Sequence, residues 1–130
     1  MKSFTLSKQE RLSSLKEIEV LFKEGKSFTK YPFRVIWLDK NPTSGSGIRV
    51  MFSVSKRKFT RAVDRNKVKR LMRESYRLLK PTFYQSMPEN ASWDIGFVYT
   101  GKEILDFQTI QQNLLKALDR LSTQHRPEIK

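Results

Sequence analysis

The side chains best suited to chemistry are concentrated between Lys56 and Lys80. These 25 residues hold 11 Lys and Arg against two acids, Asp64 and Glu74, and so carry +9 of the chain's net +13. Such density calls for a polyanionic partner, with nucleic acid the first choice and an anionic membrane surface the second. Placed on a helical wheel with Arg65 at zero, Asn66, Lys69, Arg70, Arg73, Arg77 and Lys80 fall between about 40° and 140°. Val68, Leu71, Met72, Leu78 and Leu79 fall between about 220° and 340°. One side can anchor the helix to a core while the other presents a stripe of cations. Lys67 and Tyr76 lie on the borders.

The arrangement is costly unless an anion meets it. Arg65, Lys69, Arg73 and Arg77 stack at i,i+4 spacing, where like charges repel by a few tenths of a kcal/mol per pair. A helix starting at Arg65, with Asp64 as its N-cap, puts Arg65 and Lys67 in the first turn. Positive charge there is disfavoured by roughly 0.3–1 kcal/mol each, which the cap offsets in part. Arginine forks match phosphate oxygens bidentately, so phosphate is the fitting anion. The candidate binding set is Lys56, Arg57, Lys58, Arg61, Arg65, Asn66, Lys67, Lys69, Arg70, Arg73 and Arg77.

Other chemistries find little support. The chain has no cysteine, which excludes disulfides, thiolate catalysis and Cys-based zinc sites. The single histidine, His125, falls in a loose C-terminal tail, a poor place for a general acid or base. Asp39, Asp64, Asp94 and Asp106 show no paired spacing for a two-metal centre and read as turn or cap residues. Gly45-Ser46-Gly47 sits in a connector, not at the opening of a helix, so it is no phosphate loop. No catalytic group and no protein-borne metal site are therefore expected. The first residues lack the apolar run of a signal peptide, and no apolar stretch nears the roughly 20 residues that span a bilayer. A soluble, cytoplasmic chain without membrane or DNA partners is the expectation.

The elements that must position the basic helix follow from pattern. At 130 residues one domain is expected, over 1–121, with 1–12 an extended or mobile arm and 122–130 a frayed tail. Ser14 with Glu17 has capping-box spacing. Leu15, Ile18, Leu21 and Phe22 then recur at helical intervals until Gly25. Ser27 to Lys40 reads as a strand covered on both faces, with Phe33, Val35 and Trp37 alternating with Arg34, Ile36 and Leu38. After the turn-rich stretch 41–47, Ile48 to Ser55 is a strand with Ile48, Val50, Phe52 and Val54 on one face. The basic helix is predicted from Arg65 to about Leu79, where Pro81 ends it or starts a short continuation. Trp93 to Thr100 is a further strand. Asp106 can cap a last helix striped by Phe107, Ile110, Leu114, Ala117, Leu118 and Leu121. The order is helix, strands, helix, strand, helix. It describes an α/β (α+β) sandwich with a small central sheet of about four strands, and the crossover helix implies that its flanking strands run parallel.

Ser53-Val54-Ser55-Lys56-Arg57, followed by the run from Ala62-Val63-Asp64-Arg65-Asn66-Lys67 to Arg73-Glu74, resembles the signature of the bacterial ribonuclease P protein subunit. The resemblance extends upstream through Arg11-Leu12 and Leu21-Phe22-Lys23-Glu24-Gly25, and downstream through Trp93 to Val98. It implies a protein that binds a large catalytic RNA and, with it, removes the 5′ leader from precursor tRNA. The RNA performs the hydrolysis with Mg2+ that it mainly holds itself. It implies RNA contact through the basic helix, leader contact in a cleft that includes Arg11, Ile18 and Phe22, and a left-handed crossover against the general rule. Two positions depart from the family pattern. Lys67 stands where the family has arginine, keeping charge but losing the bidentate fork. Ile18 stands where an aromatic is common, so it can pack but not stack. Phe22 fits either a core position or a stacking one. A ribosomal or general RNA-binding protein without a processing role is the alternative, and a nuclease acting alone is a third reading.

Overall fold

The computed structural model describes residues 7–40, 47–89 and 91–124. Residues 1–6 of the arm, residues 41–46 of the connector, and His125 with the rest of the tail lie outside the described residues.

Helix α1 (Leu15–Glu24) starts as its sequence predicts: the Ser14 side chain accepts the Glu17 backbone N–H at 3.3 Å. It stops at Gly25 for a reason other than handedness, since the φ there is an ordinary −72°. A Cβ at this position would lie 2.5 Å from the Leu21 carbonyl oxygen and 2.9 Å from that of Trp37. Only glycine lets the chain turn this tightly against the sheet.

The stretch expected as one strand from Ser27 to Lys40 is two. Strands β1 (Lys26–Lys30) and β2 (Phe33–Asp39) form an antiparallel hairpin that reverses at Tyr31-Pro32, a cis peptide. With Phe28 its one apolar residue, β1 is too short to show an alternation of its own, but Pro32 cannot donate to a ladder. Strand β3 (Ile48–Val54) and strand β4 (Trp93–Tyr99) complete a sheet of order β1-β2-β4-β3. β3 and β4 run parallel, as the crossover through helix α2 (Ala62–Gln85) requires. Helix α3 (Phe107–Gln124) closes the chain.

The sheet is covered on both faces. Phe33, Val35 and Trp37 of β2, Val50 and Val54 of β3, and Ile95, Phe97 and Tyr99 of β4 belong to the main core under α2 and α3. Ile36 belongs to a smaller core with Leu12 and Leu21, flanked by Ile18, Leu38, Met51 and Val98, beneath α1. Trp37 stacks on Trp93 with centroids 4.7 Å apart. Each such fully buried side chain is worth about 1.5–3 kcal/mol of transfer free energy. Gly96 leaves room for α1: a Cβ there would come within 3.3 Å of Leu21 Cδ2.

Helix α2 departs from expectation at its start, and at its end it takes the continuation past Pro81. It begins at Ala62 with Arg61 in the N-cap position, so Asp64 is a first-turn residue and not the cap. From there its carboxylate still complements the helix dipole. The helix then runs through Pro81 to Gln85. The N–H that proline lacks costs one ladder bond, but buried Phe83 and the hydroxyl of Tyr84, bonded at 2.7 Å to Glu10 Oε2, hold the last turn in place. The C-terminal boundary also moves: α3 is helical to Gln124 and Ser122 is buried, so the predicted fraying at Ser122 does not begin there.

The N-terminal segment, expected to be extended or mobile, is tied down by hydrogen bonds from Ser7 onward. A 3-10 turn at Lys8–Glu10 leads into Arg11, which bridges Val50 in parallel, while the Leu12 N–H donates to the Val50 carbonyl at 2.8 Å. Leu12 itself is buried.

Candidate nucleic-acid interface

The cations of α2 divide into three groups according to what they touch. Lys67, Arg70 and Arg73, with Asn66, are exposed, and Lys69 is half-buried beside them. Arg65 turns back: one guanidinium nitrogen donates to the carbonyls of Phe59 (2.8 Å) and Thr60 (3.0 Å). It thereby pins the loop that precedes its own helix. In that loop Lys56, Arg57, Lys58 and Arg61 are exposed, and Lys58 Nζ donates to the Thr100 carbonyl at 2.7 Å.

Arg77 and Lys80 do not extend the stripe as the wheel suggests. Arg77 Nε donates to Glu74 Oε1 at 3.1 Å, and this bond holds the Glu74 carboxyl below its usual range. The stripe is thus compensated at this point. Lys80, placed among the outward cations by its angle, is only 5% exposed. Its ammonium meets Glu10 Oε1 at 3.0 Å. Burial alone would raise the Glu10 carboxyl. Hydrogen bonds from the Ser7 N–H, the Tyr84 hydroxyl and the Lys80 ammonium outweigh it and hold the group below its ordinary value. Burial also pushes the phenols of Tyr76 and Tyr84 up, so both stay protonated donors. No local signal could have revealed this latch, because Glu10 and Lys80 lie 70 positions apart.

Where α1, β3 and α2 converge there is a cleft of about 300 Å³. Arg11 and Ile18 line it from the N-terminal side, Val50 and Met51 from β3, and Lys69 and Arg73 from the basic helix. Two of the three residues expected in a leader cleft therefore share a groove with two members of the cationic stripe. Phe22, one turn beyond Ile18 on α1, is not among the residues lining it. It is 44% exposed and belongs to neither core.

The position of α1 over this cleft is set by a charge cluster that sequence reasoning missed. Asp94, expected as a turn or cap residue, is instead a buried residue of β4 directly opposite Arg49. The Arg49 guanidinium donates Nε to Asp94 Oδ1 at 3.1 Å and reaches Glu17 Oε1 of α1 at 2.9 Å. Lys40 closes the ring, 3.4 Å from Asp94 and 3.6 Å from Glu17. The hydrogen bond from Arg49 is the main reason that the Glu17 carboxyl is held low. Among the described residues, no three acids or histidines are placed to hold a metal ion. No helix there is long and apolar enough to cross a membrane.

Fold and groove together define a mixed α+β sandwich, four strands and three helices, with a basic face complementary to phosphate. Known proteins share this fold. The Ribonuclease P family profile matches residues 6–122. The ribonuclease P protein component of Porphyromonas gingivalis is 39% identical over 121 residues, covering 92% of this chain and 88% of its own length. That of Thermotoga maritima is 36% identical over 124 residues, covering 92% and 96%. The solved T. maritima RNase P protein superimposes with a TM-score of 0.66 at 30% identity, over 85% of this chain and 96% of its own. The Staphylococcus aureus RNase P protein shares the fold, with a TM-score of 0.69 at 24% identity over 86% and 94%. The chain belongs to the ribonuclease P protein family, and its role is that of the protein subunit of that tRNA-processing nuclease.

Proposed function

We propose that the chain binds the catalytic RNA of ribonuclease P through the exposed residues Asn66, Lys67, Arg70 and Arg73 and the Lys56–Lys58 loop, and holds the 5′ leader of precursor tRNA along α1. The observation that carries this reading is the groove itself. Its lining combines cations (Arg11, Lys69, Arg73) with apolar side chains (Ile18, Val50, Met51), which suits a single strand that needs partners for both its phosphates and its bases. Phe22, exposed beside it, offers a ring on which a leader base stacks. The phosphodiester hydrolysis belongs to the RNA and to the Mg2+ that the RNA mainly holds. The engagement of Glu10, Glu17, Glu74 and Asp94 in ion pairs with lysine and arginine supports a protein that binds and positions without supplying an acid–base pair.

Precursor tRNA cleavage, assayed with catalytic RNA alone, protein alone and both, tests the proposal. The protein is expected to stimulate the RNA at low Mg2+ and to prefer leader-bearing over mature tRNA. Robust Mg2+-dependent cleavage by the protein alone would overturn the division of labour. Binding to RNA without any stimulation would favour the ribosomal reading.

A further inference from the structure

Three loops meet at the end of the sheet that leads into α2. The β1–β2 turn contributes Tyr31 and Pro32, the loop before α2 contributes residues 55–61, and the segment after β4 contributes Thr100 to Lys102. They are tied together by backbone: the Thr100 N–H donates to the Pro32 carbonyl at 2.7 Å, as the Thr100 hydroxyl does at 3.1 Å. Lys58 Nζ donates to the Thr100 carbonyl. Beneath them Phe59 packs on Tyr99, with centroids 6.0 Å apart, and the Tyr99 hydroxyl holds the Glu103 carbonyl and the Leu105 N–H. This end of the sheet is therefore a built platform with fixed loops.

On that platform one large aromatic is left outward. Tyr31 is 58% exposed, whereas Phe33, Phe59 and Tyr99 around it are buried. The turn sits against the Tyr99 ring: a Cβ at Gly101 would lie 3.0 Å from Tyr99 Cε1 and 3.3 Å from Cβ of Pro32, the neighbour of Tyr31. The exposed charges carried by these loops are mostly positive: Lys56, Arg57, Lys58, Arg61 and Lys102, with exposed Glu103 directly after them. An exposed ring within a patch of cations is the composition that stacks an unpaired base while its flanking phosphates are neutralised. None of these residues lines the groove beside α1, and the patch is continuous with the loop that Arg65 ties to the basic helix.

We propose that Tyr31 is a stacking contact for an unpaired base of the catalytic RNA, making the β1–β2 turn an extension of the RNA-binding face and separate from the leader groove. The inference rests on the RNA-binding reading above and goes beyond it in naming a second element, an aromatic contact and the partner it serves.

The test measures affinity for a transcript of the ribonuclease P RNA across a range of salt concentrations, for wild type, Tyr31→Phe and Tyr31→Ala. Tyr31→Ala is expected to weaken binding about 5- to 150-fold with an unchanged salt slope, because a ring releases no counterions. Tyr31→Phe keeps the ring and should bind like wild type. Tyr31→Leu preserves apolar bulk at the turn and should show the same loss as Tyr31→Ala, so a misfolded alanine variant leaves the question decidable. Normal affinity of Tyr31→Ala or Tyr31→Leu overturns the proposal. So does a loss in Tyr31→Phe equal to that in Tyr31→Ala, or a loss seen only with leader-bearing tRNA. If the wild-type protein fails to bind the transcript at all, the RNA-binding reading fails first, and the two failures are distinguishable.

Discussion

Replacing Glu10 with alanine probes the contact that sequence reasoning placed on the wrong side of the helix. The substitution leaves the Lys80 ammonium, 7% exposed in its side chain, without the carboxylate 3.0 Å away, and removes the acceptor of the Tyr84 hydroxyl. Breaking a buried pair by deleting one partner costs roughly 3–5 kcal/mol. Glu10 keeps 18% exposure, so water reaches the vacated space and the lower end applies, about 3 kcal/mol. For a chain of this size that corresponds to a fall in Tm of roughly 10 °C. Urea unfolding at neutral pH measures it directly. Combining Glu10→Ala with Lys80→Met removes the buried charge as well and should recover much of the loss, giving a coupling of about 2 kcal/mol in a double-mutant cycle. The pH dependence has a definite sign. The folded carboxyl is held below its ordinary value of 4.5, so its contribution is present above that value and is lost as pH falls through the lower folded one. The acid limb of the wild-type stability profile should therefore be shallower in the variant. A Glu10→Ala protein within 1 kcal/mol of wild type, or a double variant no better than the single, would refute the latch.

Other substitutions separate the remaining roles. Lys69→Ala with Arg73→Ala should lower the slope of log affinity against log salt by roughly 0.7–0.9 for each phosphate that is no longer neutralised, measured by filter binding to precursor tRNA. Phe22→Ala should leave thermal stability within about 0.5 kcal/mol, since the side chain is exposed, yet reduce the preference for leader-bearing over mature tRNA. An equal loss for both substrates would remove Phe22 from the leader site. Asp94→Asn should destabilise the fold by roughly 3 kcal/mol by leaving Arg49 and Lys40 against a neutral group, read by thermal melting. Gly25→Ala forces a Cβ into two carbonyl oxygens and should cost about 1–3 kcal/mol, again without touching the cationic stripe.

Most of the framework was legible because it rests on local pattern. Ser14 caps its helix, β3 alternates as written, and the stripe from Ile110 to Leu121 is buried. The segment from Lys56 to Arg73 could be recognised because charge, spacing and family signature coincide there. What escaped was decided by partners distant in sequence. Lys80 sits at an outward angle on an isolated helix, but the N-terminal segment folds over that turn and brings Glu10 to it. Asp94 looks like a strand-end polar residue until Arg49 and Glu17 arrive from two other elements. The hairpin at Tyr31-Pro32 was hard to see for a different reason: β1 offers one apolar residue, Phe28, and so too short a pattern to show that the phase shifts from even to odd positions across the turn. Arg65 shows the limit within the site itself, since residue type suggested phosphate and geometry assigns part of the guanidinium to two loop carbonyls.

The pairing of Arg11 and Leu12 with Val50 has a consequence for how the chain behaves before it meets any partner. β3 is a terminal strand of the sheet, and a bare strand rim is a template on which other chains add. Its residues, Ile48 to Val54, are rich in β-branched and aromatic side chains, the composition that self-associates most readily. The N-terminal segment lies along this rim, and the Glu10–Lys80 contact fastens it there. The latch is thus a guard on solubility as well as a brace for the segment that carries Arg11 to the groove, and a chain in which it is opened should cloud on concentration while its basic helix is still intact.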